Sequence, residues 1–376
     1  SMSSTYNTPL WMGESGENSS AWYWEAFGLL EDNNIGWNFW THKKVEKITS
    51  PFSVVVQPQY QTLIDYWSGS GSQPSSSYAE AALLIFTNSL KIENCITRPG
   101  VIASLTDPEY GSISKPYRPH SIPGTIPAVE YDIGTWGVSY TDSDYYNNGD
   151  GGYNDGWAYR NDGVDIEQNN NPNGHPYNIG WTETGEWLGY TIESVQTGTY
   201  DLKISVSAQN SGGMFFAQLN GQNVGVVNVP STGGWYNWED VLLPSVEISE
   251  NEIFLRIQIV QPGFNIESIK FEQVTASTEP QSIVNDFSIG KAYPNPFNNN
   301  IEIPIQIDKP NIYVAEIFNI NGHSIIKLFN EMIDPGPHSI TWGGKNKYGN
   351  GVPSGTYFLV VSNGEISNKQ KILLLK

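Results

Sequence analysis

The sequence predicts a multidomain, mainly β protein, and two observations lead to this prediction. Its 376 residues are enough for two or three domains, and a hydrophobic fraction of 38% suits several small β modules better than one large core. Residues 199–208 alternate apolar and polar side chains with the period of a β-strand, and short apolar runs follow at 214–219, 223–229, 240–243 and 252–260. Many short strands at this spacing indicate a β-sandwich in the middle of the chain.

The start of the chain predicts a strand, a helix and a second strand. An apolar run ends at Glu14, apolar residues recur at helical spacing over 19–32, and an aromatic-rich strand spans 34–40. Ser19 or Ser20 is the expected N-cap of the helix. A carboxylate at the carboxyl end of a strand in such a βαβ unit is a candidate catalytic group, and the alternative is that Glu14 is a solvated loop carboxylate.

The segments WMGESGEN (11–18) and IGWNFWTHKK (35–44) resemble glycoside hydrolase family 5, whose members are retaining (β/α)8-barrel β-glycanases. The resemblance implies that residues 1–106 are the C-terminal remnant of such a barrel. It also implies that Glu14 is the nucleophile of the parent enzyme and that Trp40 forms the sugar subsite beside it.

Retaining glycosidases need a second carboxyl group about 5–5.5 Å from the nucleophile. In the family this acid/base follows the fourth strand, and a whole barrel takes roughly 250 residues. The sequence before Glu14 offers no such strand, so we expect this chain alone to be inactive as an enzyme. The alternative is an active retaining endo-β-glucanase whose N-terminal barrel half comes from another chain.

The composition favours neutral polysaccharide over nucleic acid as a partner. A formal net charge of −20 argues against basic patches for phosphate. The 13 tryptophans and 21 tyrosines offer flat rings that stack on pyranose faces. The single cysteine, Cys95, excludes an internal disulfide, and no apolar run is long enough to span a membrane. We expect no organic cofactor.

Proline-rich and polar segments divide the rest of the chain. We predict a proline-rich linker at 107–127, a central β-sandwich at 128–275, a polar linker at 276–290 and a last all-β domain at 291–376.

Five segments of the central domain carry a second resemblance. GVSYTD (137–142), YRNDGVDIE (159–167), YNIGWTETGEWLGY (177–190), STGGW (231–235) and GFN (263–265) occur in the order seen in family 6 carbohydrate-binding modules. The resemblance implies a jelly-roll β-sandwich that binds β-glycan.

In that family two aromatic rings enclose a sugar and an asparagine binds its hydroxyl groups. The matching residues here are Tyr159, Trp235 and Asn265, and Asp142 is a candidate acceptor for a hydroxyl group. Structural roles are the alternatives for all of these residues. This applies above all to Tyr159, because its loop is long and the alignment with the family can shift there. Trp181 is assigned to the core, since it belongs to a regular strand pair.

The family also implies a structural Ca²⁺ near the ends of the sandwich. Glu130 and Glu272 are the candidate ligands, together with backbone carbonyls, although the opening Glu-Ala-Glu of the family is absent here. Trp238 is either a second sugar contact or a residue of the core or rim.

The last domain shows a third resemblance. WGG (342–344), YGNGVPSGTY (348–357) and KILLLK (371–376) resemble the Ig-like C-terminal sorting domains of type IX secretion in Bacteroidota-type bacteria. This implies an Ig-like β-sandwich and a secreted or cell-surface bacterial protein. A plain Ig-like spacer is the alternative.

The sequence therefore predicts the C-terminal portion of a secreted modular β-glycanase, with a partial (β/α)8-barrel remnant, a β-sandwich jelly roll and an Ig-like β-sandwich. Binding of cellulose, xylan or β-glucan is the expected activity. A cell-surface structural spacer is the rival interpretation.

Overall fold

The structure, a computed structural model, describes residues 5–143, 158–274, 286–320, 322–364 and 366–376. It is mainly β, as predicted. The chain divides into two compact units: unit 1 comprises Ser1–Tyr117, Ile133–Ser139 and Asp144–Val164, and unit 2 comprises Arg118–Asp132, Tyr140–Ser143 and Asp165–Lys376. Within the described ranges, no helix is both long and apolar enough to cross a membrane.

Unit 1 begins with the predicted strand–helix–strand segment. The strands β1 (Trp11–Met12) and β2 (Gly36–Trp37) pair in parallel, and the helix α1 (Ser20–Asp32) connects them. Ser19 caps α1, because its side chain accepts a hydrogen bond from the backbone N–H of Trp22 at 3.1 Å. The order of elements therefore follows the sequence pattern.

The helix packs through aromatic side chains. Tyr23 and Phe27 of α1 are buried in one apolar cluster with Val101, and the ring of Phe27 stacks on Trp37 with the ring centroids 4.1 Å apart. The remaining elements of unit 1 are β3 (Lys43–Val45), β4 (Phe52–Val54), α2 (Pro58–Trp67), α3 (Ser76–Ser89), a 3-10 turn (Ile92–Asn94), β5 (Ile96–Thr97) and α4 (Pro99–Thr106). A (β/α)8-barrel origin of residues 1–106 stays a prediction.

Unit 2 begins inside the segment predicted as a linker. This part forms β6 (Ser121–Ile122) and β7 (Gly124–Pro127), and β7 pairs antiparallel with β18 (Asn265–Gln273). Ile126 of β7 is fully buried, so the second half of the proline-rich segment contributes to a sheet. Proline at the end of a short strand is compatible with this position.

Two antiparallel sheets form the central sandwich of unit 2. The other strands of these sheets are β8 (Tyr140–Thr141), β9 (Ile166–Gln168), β10 (Tyr177–Ile179), β11 (Trp187–Ile192), β13 (Gly198–Ala208), β14 (Gly213–Leu219), β15 (Gln222–Val229), β16 (Gly234–Ile248) and β17 (Ile253–Gln261). The short strand β12 (Ser194–Val195) pairs in parallel with β6, outside both sheets. The six-stranded sheet has the order β16-β13-β18-β10-β9 with β7 beside β18, and the five-stranded sheet has the order β15-β14-β17-β11-β8. On β13, Tyr200, Leu202, Ile204 and Val206 are fully buried, as the two-residue period predicts.

A second sandwich follows in the same unit. Its strands are β19 (Phe287–Ile289), β20 (Ile301–Ile307), β21 (Asn311–Asn319), β22 (Ser324–Ile333), β23 (Gly336–Trp342), β24 (Gly355–Ser362) and β25 (Ser367–Leu374). They form a three-stranded sheet, β19-β20-β23, and a four-stranded sheet, β22-β21-β24-β25. Side chains of both sheets, such as Ile303 and Ile317, share one apolar core. An Ig-like classification stays a prediction.

Candidate functional site

A pocket of about 190 Å³ lies where several strands of the central sandwich end. It is formed by the end of β9, the β10–β11 loop, the start of β16 and the β17–β18 loop. We call it the loop-end pocket, and it is lined by Glu167, Trp181, Thr182, Trp235, Tyr236, Gly263, Phe264 and Asn265. All of these residues belong to unit 2.

The wall of the loop-end pocket on the β10–β11 side carries Trp181. This residue has a positive φ of 42°, a backbone conformation that is rare for a bulky side chain, and it is 46% exposed. We expected Trp181 in the core, but its position follows the end of β10, where the chain turns and the alternation of inward and outward side chains stops. The tryptophan therefore presents its ring to the pocket.

The adjacent loop is tied to the core. The hydroxyl of Thr182 donates to the backbone carbonyl of Phe264 at 2.8 Å, which joins the β10–β11 and β17–β18 loops. Phe264 is 1% exposed, and its ring packs near Phe215 of the core with the centroids 5.7 Å apart. The base of the pocket is thus an extension of the sandwich core.

The opposite side of the pocket comes from the start of β16. Trp235 is 44% exposed and Tyr236 is 39% exposed, so both rings are accessible to a ligand. The backbone carbonyl of Trp235 accepts hydrogen bonds from Ser207 Oγ at 2.6 Å and from Asn265 Nδ2 at 3.0 Å. The backbone that carries Trp235 is therefore held at the end of the sheet.

Asn265 is 3% exposed, and its contacts fix the orientation of its amide. Its Nδ2 donates to Glu167 Oε1 at 3.1 Å and to the carbonyl of Trp235 at 3.0 Å. Both partners are acceptors, so the nitrogen must face them and both of its hydrogens are used. Asn265 Oδ1 is then the side-chain atom that remains for a ligand, as an acceptor of a hydroxyl hydrogen.

Glu167 organises the polar side of the pocket. Its carboxylate accepts hydrogen bonds from Asn178 Nδ2 at 3.2 Å, from Asn265 Nδ2 at 3.1 Å and from the Tyr236 hydroxyl at 2.7 Å. The hydrogen bond to this carboxylate, with a smaller effect of burial, raises the pKa of Tyr236 to about 12. The phenol is therefore neutral at physiological pH.

The sequence did not reveal Glu167 and Tyr236 as site residues. Tyr236 stands next to Trp235 and could have been found from that position, whereas the role of Glu167 depends on contacts between distant strands. Together these residues surround a small space with aromatic faces and fixed hydrogen-bonding atoms. Such an arrangement suits a neutral polyhydroxylated molecule that has an apolar face.

The structure brings Trp235 and Asn265 together but does not place Tyr159 or Asp142 in the lining of the pocket. Tyr159 belongs to unit 1, where its ring lies 5.9 Å from that of Tyr117 and its carbonyl accepts a hydrogen bond from Arg98 Nη1 at 2.7 Å. These contacts hold the loop of Tyr159 within unit 1. Asp142 follows β8 and is 6% exposed, so it is buried in the sandwich.

The two residues predicted for the barrel site lie at the same end of the parallel pair in unit 1. Glu14 follows β1 and Trp40 follows β2, and both are exposed. The chain after β1 stays beside the chain after β2, since Asn38 Nδ2 donates to the carbonyl of Gly13 at 3.2 Å. This placement agrees with the expected carboxyl ends of two barrel strands, and a catalytic role for Glu14 stays a prediction.

The two residues expected to bind calcium are engaged with cations. Glu130 Oε1 lies 3.2 Å from Arg118 Nε, and Glu272 pairs with Lys203 and Lys270. The hydrogen bond from Lys203, followed by that from Lys270, lowers the pKa of Glu272 to about 2. Glu272 thus pairs with two ammonium groups and Glu130 with a guanidinium group, and calcium binding by either residue stays a prediction. In the described part of the chain, no group of three or more acidic, histidine or cysteine side chains could hold a metal.

A second, polar pocket of about 470 Å³ lies on the outer face of the six-stranded sheet. Trp238 lines it together with Ser205 and Glu267. The indole N–H of Trp238 donates to Asn169 Oδ1 at 3.0 Å, so this side chain is held at the rim of the sheet and is not part of the core.

The fold and the loop-end pocket together define the class of this part of the chain, a β-sandwich binding module. Residues 157–273 match the family described as Carbohydrate binding module (family 6), and the predicted family 6 domain is thereby confirmed.

A known protein is similar to part of this chain. The Clotting factor G alpha subunit of Tachypleus tridentatus is 28% identical over 100 residues, which cover 26% of this chain and 15% of that protein. The matched part is therefore a small share of that relative.

Solved structures of family 6 modules are also similar. The C-terminal CBM6 of LamC from Zobellia galactanivorans is 22% identical, over 40% of this chain and 98% of that chain, with a TM-score of 0.30. CBM6cm-2 from Cellvibrio mixtus lichenase 5A, in complex with cellotriose, is 22% identical over 41% of this chain and 98% of that chain, with a TM-score of 0.30. A β-1,3-glucan binding CBM6 from Bacillus halodurans is 20% identical over 41% of this chain and 99% of that chain, with a TM-score of 0.31.

Proposed function

We propose that this chain binds a neutral β-glycan, of the cellulose, xylan or β-glucan class, in the loop-end pocket. The observation that carries the proposal is the position of Asn265 beside two exposed tryptophans. Its amide is oriented by Glu167 and by the carbonyl of Trp235, so an acceptor is fixed next to the rings before any ligand arrives.

Each half of the pocket matches one part of a sugar. The C–H faces of a pyranose are apolar, and the indole rings of Trp181 and Trp235 offer apolar surface of similar size. The hydroxyl groups at the edge of the sugar can donate hydrogen bonds to Asn265 Oδ1 and to the oxygen of the Tyr236 hydroxyl, whose own hydrogen goes to Glu167. Because these groups are held by hydrogen bonds in the free protein, little ordering is needed on binding.

Titration calorimetry of the full chain with cello-, xylo- and laminari-oligosaccharides tests this function. At least one series should bind, and Trp235→Ala should abolish most of that affinity while circular dichroism shows a folded protein. Trp67→Ala is the matched control, because Trp67 is a 60% exposed tryptophan at the end of α2 in unit 1. Equal affinities of the two variants would contradict the proposal.

The parent protein in this proposal is a secreted modular β-glycanase, and residues 1–106 are the remnant of its barrel. In this proposal the remnant supplies only the nucleophile, Glu14, and no acid/base residue. The isolated chain therefore does not hydrolyse β-glucan. The alternative is an active retaining endo-β-glucanase formed with a co-expressed N-terminal barrel half. Reducing-sugar assays with and without that half distinguish the two, since turnover that requires both would establish the complementation.

Secretion is a further part of the proposal. The C-terminal sandwich would direct type IX export in a bacterium, and fusion of residues 286–376 to a periplasmic reporter tests this role. Retention of the reporter inside the cell would favour the spacer interpretation.

Calcium binding stays a prediction from the family resemblance alone. A higher melting temperature in calcium than in EDTA would support it, and identical melting temperatures would argue against it.

A further inference from the structure

The outer face of the five-stranded sheet in the central sandwich is apolar. Phe215 and Ala217 of β14 point into the sandwich core, so the alternation of the strand turns Met214 and Phe216 outward. Phe216 is nevertheless 1% exposed. An outer face of an antiparallel sheet is commonly solvated and polar, so something else must cover these side chains.

The second sandwich covers this face. Phe318 of β21 and Val360 of β24 share one buried cluster with Met214, Phe216, Val226 and Val260. The rings of Phe216 and Phe318 meet edge to face, with centroids 5.8 Å apart and planes at 88°. Outward-facing residues of the four-stranded sheet thus pack on outward-facing residues of the five-stranded sheet.

The turn between β21 and β22 also contacts the outer face of the five-stranded sheet. Gly322 has a φ of +78°, and a Cβ atom at this position would lie 3.0 Å from the ring of Phe216. A glycine is needed there both for its backbone conformation and for the contact.

Hydrogen bonds flank the apolar contact. Ser367 Oγ donates to the carbonyl of Val226 at 3.2 Å, and Lys369 Nζ donates to Asn223 Oδ1 at 2.9 Å and to the carbonyl of Asn223 at 3.3 Å. Lys369 is half-buried, and burial lowers its pKa to about 8. The interface is therefore closely packed at its edge as well as at its centre.

We propose that the C-terminal sandwich is a permanent structural partner of the binding sandwich, which closes the outer face of the five-stranded sheet so that both sandwiches open and unfold as one cooperative unit. A freely tethered domain would leave Met214, Phe216, Val226 and Val260 as an exposed apolar patch, which folded proteins avoid. The closed face is then unavailable to glycan, and ligand is confined to the remaining surface of the binding sandwich.

Native-state hydrogen exchange of the full chain in increasing urea tests the coupling. Peptides from β14 and β15 and peptides from β21 and β24 should show the same opening free energy and the same dependence on urea. Different urea dependences in the wild-type protein would overturn the proposal, whatever the variants do.

Phe318→Asp places a charge in the contact and should speed exchange in β14 and β15 as well as in β21. The melting temperature of unit 2 should fall by roughly 5–10 °C, in line with a loss of a buried aromatic contact in a domain of this size. Ile312→Asp is the matched control, because Ile312 lies on the same strand and is 52% exposed. Faster exchange confined to the C-terminal sandwich, or equal effects of both variants, would contradict the proposal.

Discussion

Trp40 of unit 1 and Trp235 of unit 2 are both exposed tryptophans, with 56% and 44% of their surface accessible. Trp40 follows a parallel strand at the same end as Glu14, and Glu14 is itself exposed. Trp235 begins a long antiparallel strand, and its carbonyl accepts hydrogen bonds from Ser207 and Asn265. The backbone of Trp40 is also held, because its N–H donates to the carbonyl of Ser15. The two positions therefore differ in the polar side chains around the ring and not in the support of the backbone.

The difference shows that an exposed ring defines a binding site only when the neighbouring polar groups are held in place. Beside Trp235, the carboxylate of Glu167 accepts three hydrogen bonds and fixes both Asn265 and Tyr236. A preorganised group of this kind binds a ligand without a large ordering cost. Beside Trp40, the carboxylate of Glu14 lies on an exposed loop. We therefore expect oligosaccharide to bind at Trp235 and not at Trp40.

Paired substitutions of the two tryptophans should give the largest effect. Trp235→Ala should weaken oligosaccharide binding by about 2–4 kcal/mol, because a central aromatic residue supplies most of the stacking surface. Trp40→Ala should leave the affinity unchanged. Titration calorimetry on both variants measures this contrast, and a loss of affinity in Trp40→Ala alone would move the binding site to unit 1.

The fixed amide should give the next largest effect. Asn265→Ala removes the acceptor offered to the sugar and leaves Glu167 with one donor fewer, so binding should weaken by about 1–3 kcal/mol. Thermal unfolding followed by circular dichroism provides the control, because a large fall in stability would indicate a structural role for Asn265. Full affinity in this variant would show that the tryptophans alone define the site.

Tyr236→Phe should have a smaller effect on binding, about 0.5–1.5 kcal/mol, because one hydrogen bond is lost while the ring remains. With a pKa of about 12, the Tyr236 phenol is protonated throughout pH 7 to pH 9, so this group should cause no change in wild-type affinity over that range. Tyr348→Phe, at a 76% exposed tyrosine of the C-terminal sandwich, is the matched control. A fall in affinity within that pH range would require another titrating group at the site.

Glu14→Gln should have no effect on binding or on the background rate of β-glucan hydrolysis, since in our proposal Glu14 is only the nucleophile of the parent enzyme and turnover requires a second carboxyl group. Reducing-sugar release from soluble β-glucan measures the rate. A measurable rate that this variant abolishes would restore Glu14 as a working nucleophile and require a complementing barrel half.

The parts of the site that the sequence predicted are those with a local signal. Trp235 and Asn265 lie in short motifs, STGGW and GFN, and both motifs end at the loop-end pocket. Trp181 was placed in the core because the alternation of a strand does not show where the strand ends, and β10 ends at Ile179. Glu167 joins Asn178, Asn265 and Tyr236 across several strands, and such a network depends on register that a single sequence does not specify.

For the fold as well, features that depend on neighbouring residues were predicted, and contacts between distant parts of the chain were not. The alternating strand at 199–208 was predicted because one face is buried and the period is visible in the residue pattern. The continuous apolar run from Met214 to Ala217 is typical of a strand that is buried on both faces. Its outer cover comes from Phe318, about a hundred residues away along the chain, and hydrophobic periodicity cannot identify a partner at that distance.

The positive φ of Trp181 has a consequence for protein engineering. A left-handed conformation costs a residue with a side chain about 1–2 kcal/mol, whereas glycine adopts it freely. Trp181→Gly should therefore relax the backbone while it removes a ring from the pocket, and selection for thermal stability alone would favour the wrong residue at this position. Libraries built on this domain should be screened for glycan capture before they are screened for heat resistance, or the stabilised descendants will be poor binders.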